Sequence, residues 1–255
     1  MPCITLLSDF GLQDASIAIS RGILMQHTTV PIIDISHEVA QYNTTQAAYL
    51  LRAAYNNFPA GTNHLLLTDL FSDTNPALIL CEHDGHYFLT PDNGHISLAL
   101  GTVPLAWHCG YIDTFIQWLH RAGDIINKLQ ELRPAALGLP AYQLKHTPLP
   151  ASPILSNESI SCDVLHIDYF GNVALNVTRQ QVESLRNGRQ FRLQFTKVEE
   201  ITGAGSGYDE VREGTKLCRF NRSGYLEVCI NRGHAASLFG LRYGGKLNDI
   251  KILFE

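Results

Sequence analysis

Between residues 3 and 132, short apolar runs alternate with amphipathic segments, and this alternation restricts the fold more than any single motif does. CITLLS (3–8), VPIIDIS (30–36) and NHLLLTD (63–69) read as buried strands. SIAISRGILMQH (16–27), TTQAAYLLRAAYNNF (44–58) and DTFIQWLHRAGDIINKLQEL (113–132) carry apolar residues at helical spacing, with Asn43 or Thr44 suited to cap the second of them. NPALILCEH and GHYFLTPDNG pair as a hairpin, and HISLALG follows. Strand–helix alternation of this kind predicts an α/β N-terminal domain with a mostly parallel sheet.

The pattern changes around 134–157, a stretch that holds five of the eleven prolines and reads as a linker or a wrapping arm. Beyond it CDVLHIDY, VALNVT, QFRLQFT, LCRFN, YLEVCIN and DIKILFE are short and strand-like, punctuated by Gly and Asn. They predict an all-β C-terminal domain, a small barrel or a sandwich. The expected organisation is an α/β domain over 1–140, a Pro-rich linker over 141–156 and the all-β domain over 157–255.

Composition narrows the function classes. The 255 residues are 45% hydrophobic and 17% charged, with a formal net charge of −5 and no basic run. A nucleic-acid binder needs clustered Lys and Arg against phosphates, so no nucleic-acid partner is expected. The six cysteines are far apart with no CxxC pair, and several sit in apolar runs, so they read as buried free thiols and no metal site is expected. MPCITLLSDF has no basic n-region, and nothing approaches the ~20 apolar residues of a membrane span. No membrane partner is expected, and a cytoplasmic location is.

Several motifs carry candidate chemistry. SDFGLQD (8–14) sets Asp9 just past the first strand, where open α/β sheets bind ligands. The competing reading is a helix N-terminus, capped by Asp14 or Ser16. LTDLFSDTNP (67–76) places Asp69 at the end of another buried strand, either in an active-site loop or in a polar turn. Asp34 and His37 lack further ligands at metal spacing, so a hydrogen bond that orders their loop is the expectation. TPDNGHIS (90–97) reads as a tight turn. HIDYFGNVALN (166–176) gathers Asp168, Phe170 and Asn172, which could neutralise an ammonium, stack on a ring and read a base edge. GAGSG (203–207) has neither the strand–helix setting nor the Lys-Ser/Thr of a nucleotide loop, and reads as a flexible lead into Tyr208.

Taken in order, ITLLSDFGLQD, VPIIDISHEV, FPAGT (58–62), YFLTPDNG, HIDYFGNVALNV and SGYLEV…NRGHAAS resemble the S-adenosyl-L-methionine hydroxide adenosyltransferases, relatives of the fluorinase and chlorinase enzymes. The resemblance runs over nearly the whole chain. It implies an N-terminal α/β domain, a C-terminal β-barrel and a homotrimer with sites at subunit interfaces. It also implies S-adenosylmethionine as substrate, with no cofactor. Asp9 would hold the ribose hydroxyls, with Asp14 and Ser16 closing that loop. Tyr42 would line the methionine side, and Asp168 would pair with the ammonium. Asn172 would contact adenine beside Phe170, and Tyr208 would pack on it. Arg222 and Ser223 would lie near the methionine carboxylate, and the backbone from Asn231 to Ala235 would read the adenine edge.

The implied reaction is attack of water or hydroxide on the ribose C5′, giving adenosine and L-methionine. The sulfonium leaves as a neutral thioether and needs no acid, so catalysis reduces to in-line positioning and activation of water. The chain departs from the family pattern here. Hydroxide-using members follow the catalytic Asp with Pro-Gly-Val-Gly-Thr and an Arg seven residues on, whereas Asp69 is followed by LFSDTN and the Arg position is Pro76. The family's Phe-His-Gly-Arg-Asp stretch corresponds to HRAGD (120–124), so Arg121 or His120 takes the place of the catalytic His. Asp69 with His120 or Arg121 is the expected catalytic set. The alternative is a non-catalytic member that binds S-adenosylmethionine or adenosine. A halogenase fits less well: Ser72 is a suitable halide donor, but Asp69 stands where halogenases carry a neutral aromatic.

Overall fold

The first apolar run becomes β1 (Ile4–Ser8), buried at every position, in a computed structural model that describes residues 1–148, 152–195, 199–243 and 250–255. After it come α1 (Ser16–His27), β2 (Ile32–Ser36), α2 (Thr44–Ala54), β3 (Asn63–Leu67), β4 (Ala77–His83), β5 (His86–Pro91), α3 (His95–Leu100), β6 (Leu105–Tyr111) and α4 (Phe115–Leu129). Asn43 caps α2 by accepting from Gln46 N at 3.0 Å, and Thr114 caps α4 by accepting from Gln117 N at 3.3 Å. These elements belong to one of two compact units, Met1–Pro150 and Ala151–Glu255.

The six-stranded sheet of the first unit has the order β2-β1-β3-β5-β4-β6. β1 pairs parallel with β2 and β3, and β3 with β5, but β4 is antiparallel to both β5 and β6. The sheet is therefore mixed. The cause is local: Asp84 and Gly85, at φ 48° and 75°, make a tight hairpin between β4 and β5, and a connection that short joins only antiparallel strands. HISLALG becomes the helix α3, with Gly94 and Gly101 in left-handed conformation at its two ends. β6 fills the far edge and has no counterpart among the segments singled out above.

The buried face of α4, from Trp118 through Ala122 and Ile126 to Leu129, follows helical spacing and packs on α1 and the sheet. The segment from Pro140 to Lys145 forms a strap on this unit. His108 N donates to Pro140 O at 2.9 Å, Tyr142 N to Ala106 O at 2.8 Å, and Asp92 Oδ2 accepts from Tyr142 OH and Lys145 N at 3.0 and 2.7 Å.

The second unit contains β7 (Ile154–Leu155), β8 (Ser159–Cys162), β9 (Val164–Ile167), β10 (Val173–Thr178), α5 (Arg179–Arg186), β11 (Phe191–Gln194), β12 (Glu200–Thr202), β13 (Lys216–Phe220), β14 (Tyr225–Ile230), α6 (Ala235–Phe239) and β15 (Ile250–Phe254). Two antiparallel sheets, β13-β14-β10-β9 and β12-β11-β15-β8-β7, share an apolar core that includes Ile160, Leu175, Val182, Leu193, Val228 and Ile252. The unit is not all-β, because α5 and α6 interrupt the strands. α5 starts at a capping box in which Thr178 and Gln181 satisfy each other's backbone N–H. The GAGSG loop is tied down, with Gly205 N donating to Cys218 O at 2.8 Å.

All six cysteines are free and buried. Among the described residues, no helix is long and apolar enough to cross a membrane, and no group of three or more His, Cys, Asp or Glu is arranged to hold a metal ion.

Candidate active site

β1 and β3 are neighbours in parallel register, with Ser8 opposite Leu67, so Asp9 and Asp69 leave the sheet side by side. Asp69 N donates to Asp9 Oδ2 at 3.2 Å, which fixes one carboxylate against the backbone of the other. Asp69 has φ 46°, a left-handed conformation that Asp adopts more readily than most non-glycine residues. The turn is braced from behind. Asn93 Nδ2 donates to the carbonyls of Thr68 and Asp69 at 3.0 and 3.2 Å, and Thr68 Oγ1 lies 3.1 Å from His95 Nε2. Burial pushes the His95 imidazole down to about 3, so this brace is neutral. The PDNGH turn thus supports Asp69, a role its sequence does not reveal.

A cavity of about 490 Å³ lies over this pair, lined by Asp9, Phe10, Ser16, Gln41, Tyr42, Asp69, Leu70, Phe71 and Phe115. Burial, and then the charge of Asp9, raise the Asp69 carboxyl above the usual carboxylate range. Such a shift turns a carboxylate into a stronger base. Tyr42 reaches the cavity from a turn at φ 61° and is otherwise exposed. Ser16 opens α1 beside it. Asp14 does not line the cavity; its Oδ1 accepts from Ser16 N at 2.8 Å, and the backbone and side-chain hydrogen bonds from Ser16 hold its carboxyl below the usual range.

His37 stands behind the Asp9 turn. Its Nδ1 is 2.7 Å from Ser8 Oγ, while its Nε2 lies 3.2 Å from Asp34 Oδ1 without hydrogen-bond geometry; Asp34 pairs instead with Arg21.

His120, Arg121 and Ser72 are not brought to this cavity. His120 Nδ1 is 2.9 Å from His27 Nε2, and His27 Nδ1 is 2.9 Å from Asp124 Oδ1, so this chain of groups ties α4 to α1. Arg121 Nε donates to Cys109 O at 2.7 Å. Ser72 lines a separate hollow of about 10 Å³ together with Asp73, Pro76 and Lys145.

The second unit holds its own cavity, of about 1140 Å³, lined by Asp168, Phe170, Asn172, Tyr208, Arg222, Ile230, Asn231, Arg232, Gly233 and His234. Six of these were candidates from the sequence. The turn between β9 and β10 is closed by Asp168, which accepts from Asn172 N at 2.8 Å and from Asn172 Nδ2 at 2.9 Å. Asn172 Nδ2 also donates to Tyr208 OH at 3.2 Å, and Tyr208 OH donates to Glu227 Oε1 at 3.2 Å. The Arg219 guanidinium carbon lies 4.5 Å above the Tyr208 ring. Burial, with the charges of Cys229 and Glu227, pushes the Tyr208 phenol well up, so it stays a neutral donor.

Phe170 is 72% exposed, an apolar ring left facing outward from the turn. Ser223 and Ala235 lie outside the cavity lining. Ser223 N donates to Asn221 Oδ1 at 3.0 Å, and Ala235 is fully buried as the first residue of α6. The roles of two side chains here escaped the sequence reading. His234 caps α6 through Nδ1, which accepts from Ser237 N at 3.1 Å. Its ring fills the space beside Gly171, where a Cβ would stand 2.1 Å from His234 Nδ1. The other is Glu227, a buried acid in the apolar strand YLEVCI, and that contrast was the available signal.

The two halves of the chain match two halves of one family. The description "SAM hydroxide adenosyltransferase N-terminal domain" fits residues 4–113, and "SAM hydroxide adenosyltransferase C-terminal domain" fits residues 162–248. Proteins named (R)-S-adenosyl-L-methionine hydrolase are similar over almost their full length. That of Salinispora tropica is 26% identical, covering 96% of this chain and 97% of its own, and that of Thermus thermophilus is 27% identical, covering 93% and 95%. In fold, the chain is similar to an uncharacterized conserved protein from Thermotoga maritima, with a TM-score of 0.84 at 22% identity over 98% of this chain and 99% of the other. A conserved hypothetical protein from Thermus thermophilus superimposes with a TM-score of 0.75 at 22% identity, over 100% of both chains. With both domain profiles matched in order along one chain, the protein belongs to the SAM hydroxide adenosyltransferase family.

Proposed function

We propose that this protein hydrolyses S-adenosyl-L-methionine to adenosine and L-methionine. Water attacks the ribose C5′, the C5′–S bond breaks, and its electron pair leaves on sulfur as a neutral thioether. The water proton passes to Asp69. The observation that carries this reading is the Asp9–Asp69 pair, held by one hydrogen bond in one cavity, with Asp69 raised above an ordinary carboxylate. Asp9 holds the ribose hydroxyls, with Ser16 and Tyr42 beside it. In the second unit Asp168 attracts the ammonium, Asn172 and the backbone from Asn231 to His234 read adenine, Phe170 and Tyr208 pack on its ring, and Arg222 serves the methionine carboxylate. Residues 1–140 then carry the reaction and residues 157–255 the recognition. The C-terminal sheets close as a barrel, and the cytoplasmic protein assembles as a homotrimer with sites at its subunit interfaces. The reaction calls for no cofactor.

A second reading has a specific observation behind it. His120 and Arg121 are engaged away from Asp69, and Pro76 offers no cation, so a member that binds the substrate without turning it over remains the competitor. Incubating the purified protein with S-adenosylmethionine and separating adenosine and methionine by chromatography distinguishes the two. Turnover supports the hydrolase; measurable S-adenosylmethionine binding with no product supports the binding protein.

A further inference from the structure

Glu227 lies in β14, buried and outside the cavity lining, yet four polar side chains converge on it. Oε1 is 3.2 Å from both Tyr208 OH and Cys229 Sγ and 3.5 Å from Arg219 Nε, and Oε2 is 3.4 Å from Asn221 Nδ2. A carboxylate can only accept, so the Tyr208 hydroxyl spends its proton on Glu227 and offers Asn172 a lone pair. Asp168, at the other end, likewise only accepts. Both hydrogens of Asn172 Nδ2 are thereby used, one on Asp168 Oδ2 at 2.9 Å and one on Tyr208 OH at 3.2 Å. The amide orientation, which is otherwise open to a flip, has one arrangement that satisfies the chain. In that arrangement Asn172 Oδ1 has no protein partner among the described residues, and Asn172 lines the cavity.

We propose that Glu227 is a positioning residue that sets the hydrogen-bond polarity of this cavity through Tyr208, so that Asn172 presents an acceptor and the site selects a 6-amino over a 6-oxo purine nucleoside. The inference rests on the adenosine-forming reading above. A 6-amino group donates to Asn172 Oδ1, whereas a 6-oxo group sets two acceptors against each other, a mismatch that leaves both unpaired. Replacing Glu227 by Gln frees the Tyr208 hydroxyl from its fixed direction, and replacing Tyr208 by Phe removes the link while keeping the ring.

The test is a pair of dissociation constants, for adenosine and for inosine, measured by calorimetry on the intact protein, on Glu227→Gln and on Tyr208→Phe. The wild type is expected to prefer adenosine by about tenfold or more, the worth of one buried hydrogen bond. Each variant is expected to shrink that ratio about fivefold, through weaker adenosine binding with inosine binding held or improved. A residue that merely supports the fold would weaken both nucleosides alike. A folded variant of either kind that keeps the wild-type ratio overturns the proposal, as does a wild type that binds both nucleosides equally. S-Adenosylmethionine turnover by the wild type tests the hydrolase reading separately, so failure of the polarity mechanism and failure of the reaction are distinguishable.

Discussion

The two cavities differ in what they leave unsatisfied. In the C-terminal unit the polar chain from Asp168 through Asn172 and Tyr208 to Glu227 is closed, each donor assigned to an acceptor. In the N-terminal unit a single hydrogen bond joins the Asp69 backbone N–H to the Asp9 carboxylate, and the Asp69 carboxyl is raised by burial and by the charge of Asp9. A closed network is rigid and suits recognition. A carboxylate with an elevated proton affinity and spare lone pairs suits proton transfer. On the proposed function, the contrast divides the labour within one chain: chemistry beside β1 and β3, selection beside β9, β10 and β14.

The largest expected break in that contrast is Asp69→Asn, which removes the proposed base and keeps the shape. Steady-state kinetics should show kcat down by about 10²–10⁴-fold, with KM nearly unchanged. Asp168→Asn acts on the other side. It removes the proposed charge-assisted partner of the ammonium and should raise KM roughly 10–100-fold, with a smaller change in kcat. A reversal of these two patterns would dissolve the division.

The pH profile sharpens it further. The base must be deprotonated, so kcat/KM should fall as pH drops through the Asp69 pKa, an acid limb lying above the ordinary carboxylate range because burial and Asp9 raise it. The Asp9 charge is one of the raising causes, so Asp9→Asn should move that limb to lower pH.

Gly171→Ala probes the rigidity of the recognition side. The new Cβ would meet the His234 ring at 2.1 Å, at a φ of 80° that already disfavours L residues. The backbone strain alone costs about 1–3 kcal/mol, so a fall in Tm of roughly 5 °C, read by calorimetry, is expected. The smallest effect belongs to Ser72→Ala. Ser72 sits in its own hollow, and turnover should change by less than about twofold.

Much of this fold was legible from hydrophobic period. β1, α1, α2, α4 and most C-terminal strands lie where the apolar spacing put them, because each buries one face or a full run. α3 was not legible as a helix. Four of its six residues are buried, and a run that short and apolar fits either type until the flanking glycines act. α5 buries only Val182, so periodicity was silent, although Thr178 and Gln181 spelled out its cap. The turn carrying Asp168 and Asn172 could be read as a candidate because its polar residues are contiguous. His234, Glu227 and the Asn93 brace could not, since each acts through a residue distant in sequence. The placement of His120 and Arg121 depends on which face of α4 meets α1 and which meets β6, and alignment by motif does not determine that.

The most direct test is the fate of solvent oxygen. Turnover of S-adenosylmethionine in ¹⁸O-labelled water should place one label in the 5′-hydroxyl of adenosine and none in methionine, at a rate that collapses in Asp69→Asn while S-adenosylmethionine binding persists. Unlabelled adenosine, or an Asp69→Asn variant that forms labelled adenosine at the wild-type rate, would contradict water attack at C5′ with Asp69 as the base.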